Sequence, residues 1–193
     1  MYDAIFKIVI FGDSGSGKTT LRKRLLTNNF ISSSQHTIGV DFETKVLNVY
    51  GKEVKLLIWD FAGEERFRFM FPQYIYGAMG GLLMYDITNY SSFSHIADWL
   101  SVINGSREKF PVILMGGKLD LEDYREISYS EGLETARSMN LKGFVECSSK
   151  TGENVKESFE ELSKMMLNKM EIKSISTQNN NRELIEEFEK KFC

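Results

Sequence analysis

The sequence predicts an α/β fold: a mostly parallel six-stranded sheet with one antiparallel edge strand and helices on both faces. Three observations carry this. Apolar strand-like runs alternate with helix-periodic segments along the chain. Val40 to Tyr50 and Val54 to Trp59 are separated only by a glycine turn, which makes this pair an antiparallel hairpin. Gly81 to Tyr85 and Val112 to Met115 are compact apolar runs, as strands buried on both faces are.

Taken in order, Ala4 to Phe11 is an apolar first strand, and Leu21, Leu25 and Leu26 mark the helix after it. Thr27 to Thr37 is too polar for core. Val40 to Tyr50 alternates, with Phe42, Thr44 and Val46 set against Asp41, Glu43 and Lys45, so it reads as half-exposed. Tyr50 to Glu53 forms the turn. Phe61 to Tyr76 is expected to be irregular, with exposed aromatics. Phe93, Ile96, Leu100 and Ile103 share one helix face, and Ser128 with Glu131 forms a capping box for a helix through Leu133 and Ala136. Phe144 to Cys147 is the last strand, and Val155, Phe159, Leu162 and Met166 line the last core helix.

A chain of 193 residues supports one domain with a full core. We place it at 1–172. The tail, 173–193, begins with a polar linker at Ser176 to Asn181, and Leu184, Ile185, Phe188 and Phe192 then give a short amphipathic end. The net charge of −3 gives no electrostatic footprint for nucleic acid. Cys147 and Cys193 are the only cysteines, which excludes a disulfide framework or a structural zinc site. Asp3 stands where a secretory signal would be basic, and no apolar run approaches the ~20 residues needed to span a bilayer. The expected compartment is cytoplasmic.

Gly12 to Thr19 reads Gly-Asp-Ser-Gly-Ser-Gly-Lys-Thr between a strand and a helix. This is the P-loop arrangement. Glycines let successive N–H groups turn inward, and the helix aims its positive end at the same point. Lys18 would bring full charge to the β- and γ-phosphates, and Thr19 a hydroxyl ligand for Mg²⁺. Asp60 closes a buried strand, where a carboxylate either holds Mg²⁺ or caps a helix. Gly63 lets its N–H approach the γ-phosphate. Asp120 is either a turn residue or an acceptor for the N1–H and N2–H₂ donors of guanine.

From about Ile5 to Met170 the sequence resembles the Ras superfamily of small GTPases, and most closely its Rab branch. The residues that carry the resemblance are the P-loop with Ser14, Thr37-Ile38-Gly39-Val40-Asp41-Phe42, Trp59-Asp60-Phe61-Ala62-Gly63, Arg66-Phe67-Arg68 and Tyr85-Asp86-Ile87-Thr88. It implies a P-loop NTPase fold, GTP and GDP as ligands with Mg²⁺, and hydrolysis as part of a molecular switch in membrane traffic. It further implies nucleotide contacts from Ser14, Gly15, Ser16, Gly17, Lys18, Thr19, Thr20, Phe30, Thr37, Gly63, Lys118, Asp120, Ser148, Ser149 and Lys150. Thr19, Thr37 and Asp60 would hold the metal. Effectors, exchange factors and GTPase-activating proteins would meet switch I (31–42) and switch II (61–76).

Four departures matter. Glu64 stands where the family usually has the Gln that orients the attacking water. An ionised Glu accepts a hydrogen bond from that water but donates none. Glu64 and Lys18 are the candidate catalytic residues, and whether Glu64 speeds or slows the reaction stays open. Gly117 replaces the Asn that ties the base pocket to the P-loop, leaving those hydrogen bonds absent or filled by water. Phe61, Met70 and Phe71 add apolar surface beside Phe67 and Phe69, either for partners or folded onto the core. Cys193 is a lone terminal Cys, a candidate lipidation site for peripheral membrane association or the end of an unmodified tail. The rival function is a poorly hydrolysing guanine-nucleotide module that acts by binding partners.

Overall fold

The computed structural model describes residues 1–31, 37–104 and 109–172. Six strands form one sheet in the order β2-β3-β1-β4-β5-β6. They are β1 (Ala4–Gly12), β2 (Val40–Val49), β3 (Lys52–Phe61), β4 (Gly80–Asp86), β5 (Val112–Gly117) and β6 (Gly143–Glu146). All neighbours pair in parallel except β2 with β3, so the antiparallel strand lies at the edge, as the hairpin requires. The turn between them is tighter than the sequence suggests. Tyr50 and Gly51 alone make it, with φ of 54° and 75°, the paired positive values of a two-residue hairpin turn.

The period-2 pattern of β1 explains why the sheet is covered twice. Phe6, Ile8 and Ile10 enter one core, with Leu21 and Leu25 of α1 (Lys18–Thr27) and Phe159, Leu162 and Met166 of the last helix, 155–172. Val9 and Phe11 enter the other, with Phe71, Trp99 and Leu100. That second core is built by α2 (Phe71–Ile75), α3 (Tyr90–Ser94), α4 (Ile96–Asn104) and α5 (Tyr129–Ser138). The last helix is α6. Ser128 and Glu131 make the predicted reciprocal capping box at α5.

Two expectations change. The segment 61–76 is ordered: Phe61 completes β3, Glu65–Met70 winds as a 3₁₀ turn, and α2 follows. Phe61 and Phe71 are buried, with Phe71 5.1 Å from Phe11 and edge-on to Trp99 at 5.5 Å. Phe69 remains 76% exposed. The aromatic run is thus divided between core and surface. The helix expected through Phe93 and Ile103 is two helices broken at His95. No helix among the described residues is long and apolar enough to cross a membrane.

Candidate functional site

A cavity of about 340 Å³ opens at the carboxyl edge of the sheet, where ligands of open α/β folds bind. Its wall brings together most of the predicted site: Ser14 to Thr20, Phe30, Thr37, Gly63, Glu64, Lys118, Asp120, Ser149 and Lys150. Asp60 and Ser148 lie behind the wall, and Met84 of β4 joins it unpredicted.

The loop is held by its own backbone. Gly12 has φ 131°, and a Cβ there would stand 2.1 Å from the Met84 carbonyl oxygen. Gly17, φ 100°, begins α1. Ser16 Oγ donates to the Asp13 carbonyl at 2.8 Å, so its side chain serves the loop. Lys18 Nζ donates to the carbonyls of Gly12 (2.9 Å) and Asp13 (2.7 Å). Burial lowers its pKa to about 8, against the opposing pull of Asp60 and Asp13. A buried cation held by carbonyls at the wall of a cavity is suited to an anion.

Gly63 has a stronger reason to be glycine than access for a phosphate. A Cβ would come within 2.3 Å of the Asp13 carbonyl carbon and the Ser14 nitrogen, and the Ser14 N–H donates to the Gly63 carbonyl at 3.2 Å. Switch II is seated on the P-loop backbone at this point.

Thr19 Oγ1 and Thr37 Oγ1 lie 2.8 Å apart. Asp60, at the end of β3, is fully buried, and neither carboxylate oxygen has a hydrogen-bond partner. Burial raises its pKa; the Thr19 hydroxyl, Lys18 and Arg22 act against that rise. Two hydroxyls beside a buried carboxylate that has no hydrogen-bond partner, with Arg22 Nε 3.5 Å away, fit a hard divalent cation that also takes oxygen ligands from phosphate and water. A helix cap does not explain Asp60, since it is a strand residue.

At the other end Lys118 adopts φ 66° and its Nζ meets Asp86 Oδ2 at 2.6 Å. Asp86 is fixed in turn by the N–H and hydroxyl of Thr88, which gives Tyr85-Asp86-Ile87-Thr88 a physical task. Ser148 Oγ donates to Asp120 Oδ1 at 2.6 Å and accepts from the N–H groups of Lys150 and Thr151. Ser148 therefore aims Asp120 and shapes the loop behind the cavity. At Gly117 a Cβ would stand 2.9 Å from the Ser16 carbonyl oxygen and 3.2 Å from the Met84 methyl. The space beside Gly117 is taken up by a methyl group and the P-loop backbone. Glu64 is drawn to Arg66 Nε at 2.7 Å, which offsets its negative charge.

The sequence model of the Ras family matches residues 7–168. The chain belongs to the Ras family. Among its relatives, Ras-related protein Rab-4B of Homo sapiens and of Rattus norvegicus is 43% identical over 171 residues, which cover 88% of this chain and 80% of theirs. Ras-related protein Rab-4A of Bos taurus is 42% identical, with 88% and 78% covered. The protein is accordingly a Rab-like small GTPase, and its fold, guanine-nucleotide ligand and GTP hydrolase class follow from the family.

Within this Ras-family frame, several residues carried no signal in the sequence. Asp13 accepts from Arg68 (3.1 Å) and Trp99 Nε1 (2.8 Å) on one oxygen and lies 2.6 Å from His95 Nδ1 on the other. It joins the P-loop to switch II and α4. Arg22 lies in α1 and Met84 in β4, and neither is part of a motif that marks a role in the site. Their partners come from distant parts of the chain, and no local periodicity reports such contacts.

Proposed function

We propose that this protein is a Mg²⁺-dependent switch that alternates between GTP- and GDP-bound states, hydrolyses slowly on its own, and serves membrane traffic. The observation that carries the reading is the meeting of Lys18 and the Thr19–Thr37 hydroxyl pair on the wall of one cavity, with the buried Asp60 behind it. When bound, Mg²⁺ supplies charge neutralisation of the phosphate oxygens. The chain's own groups do the rest. Lys18 balances the β- and γ-phosphates, and the P-loop N–H groups orient them. Thr37 and Gly63 bring switch I and switch II to the last phosphate, so its loss releases both. Asp120, aimed by Ser148, accepts from guanine. Phe30 and Lys118 flank the base.

Glu64 supports the reading of slow turnover. Its carboxylate accepts from a water but cannot donate toward the phosphoryl oxygens, and Arg66 engages it. We also assign the domain to 1–172 and a membrane-directed tail to 173–193, with Cys193 as the lipidation candidate; both the tail and residues 32–36 lie outside the described residues. Effectors and regulators meet 31–42 and 61–76, where Phe42, Phe69 and Tyr76 are exposed. The alternative, a poorly hydrolysing binding module, draws on the same Glu64 and on Gly117. Single-turnover GTP hydrolysis decides between them. The switch reading expects a wild-type rate above the buffer blank and a Glu64→Gln rate about tenfold higher. A wild type indistinguishable from the blank establishes the binding module instead.

A further inference from the structure

Asp41 of β2 and Asp60 of β3 stand directly opposite each other in the antiparallel ladder. Opposed like charges destabilise a sheet, and Asp60 is fully buried. Arg22 stands between them. It lies one helical turn after Lys18 on α1, with its side chain 4% exposed. Its Nη2 donates to Asp41 Oδ2, and its Nε lies 3.5 Å from Asp60 Oδ2. Nε and Nη1 have no hydrogen-bond partner. A guanidinium buried with at least three of its five N–H donors unused points to a role for its charge. Asp41 is held below the usual carboxylate range, chiefly by its hydrogen bond to Arg22.

Resting on the Mg²⁺ reading of Thr19, Thr37 and Asp60, we propose that Arg22 is a built-in counter-cation that competes with the metal for Asp60 while tethering β2 to α1. Two cations on one carboxylate repel, and in a poorly solvated site that repulsion is felt strongly. The metal therefore binds more weakly than its ligand set alone would allow. The Arg22–Asp41 bond meanwhile holds the end of switch I to α1 through groups of the chain alone. Nucleotide retention in this protein then depends less steeply on Mg²⁺ than an unopposed Asp60 would make it.

The test is release of a fluorescent GDP analogue from the full-length protein across a series of buffered Mg²⁺ concentrations. The quantity read is the concentration that gives half-maximal slowing. In Arg22→Met, which keeps the apolar stem and removes the charge, this concentration should fall about tenfold, whereas Arg22→Lys should stay near wild type. Asp41→Asn leaves Arg22 facing Asp60 alone and should raise it two- to threefold, which keeps the idea testable if Arg22→Met fails to fold. A lost packing contact would weaken metal and nucleotide together, the opposite sign. An Arg22→Met value unchanged or higher, with wild-type release still responsive to Mg²⁺, overturns the role of Arg22 and spares the metal site. Wild-type release indifferent to Mg²⁺ overturns both.

Discussion

Lys18, at the phosphate end of the cavity, is 6% exposed and donates to two backbone carbonyls, whereas Lys118 and Lys150, at the base end, leave 37% and 60% of their side chains in solvent. The contrast extends to the backbone. Switch II packs against the P-loop so closely that Gly63 admits no Cβ, and Gly12 is held as closely against the backbone of Met84. The base end is a set of side chains on the loops after β5 and β6, each placed by one or two hydrogen bonds, with the Met84 methyl beside Gly117. The proposed phosphate end is thus built on main-chain geometry, which few substitutions alter. In the proposed reading, base choice rests on a single carboxylate, Asp120, and its Ser148 support.

The largest effect expected from breaking this contrast is at Lys18. Lys18→Ala should weaken GDP binding roughly a hundred- to ten-thousandfold, since two charge-assisted hydrogen bonds are lost; titration of nucleotide-free protein measures it, and a loss of less than about tenfold relative to wild type would refute the assignment. The same residue sets a pH dependence. Its pKa in the free protein is lowered to about 8 from 10.5, so the unfolded chain holds this proton more tightly than the fold does. Stability of the nucleotide-free protein should therefore rise as pH increases from about 8 toward 10.5. Nucleotide phosphates restore the proton, so GDP affinity should fall over the same range, by at most about tenfold per pH unit. An affinity flat from pH 7 to 10 would show that Lys18 is not the group that answers the phosphates.

At the base end the expected losses are smaller but selective. Asp120→Ala should cost GDP about ten- to a hundredfold and leave ADP nearly unchanged, so the two nucleotides converge in a competition assay. Equal displacement by GDP and ADP in the wild type would remove Asp120 from base recognition. The smallest effect is expected at Gly117. Gly117→Asn alone meets the Ser16 carbonyl and the Met84 methyl and should not tighten GDP binding. Paired with Met84→Val, which removes the methyl but leaves the Ser16 carbonyl in place, it should tighten binding by about two- to tenfold through recovered hydrogen bonds. If Gly117→Asn alone gives the whole gain, Met84 is not the filler of that space.

Much of the site is legible in the sequence because its residues cluster in short motifs next to strand ends. Gly12 to Thr19, Asp60 to Gly63 and Lys118 to Asp120 each follow a strand, and parallel strands deliver all three to one edge. Phe61 and Phe71 are not legible in this way. Their exposure depends on whether α2 folds back over β1, and composition is silent on that. The helix break at His95 is equally hidden, since the apolar spacing continues across it.

The sequence alone determined the alternation of strands and helices and the glycines of the P-loop, and it nominated the candidate phosphate, metal and base groups, since periodicity and backbone permissiveness are local properties. Tertiary structure decided which groups support them. Asp13 was placed against Arg68, His95 and Trp99, Met84 against Gly117, and Arg22 between Asp41 and Asp60. Each of these contacts joins segments remote in sequence, and its energy depends on burial and charge at a distance that no local pattern encodes.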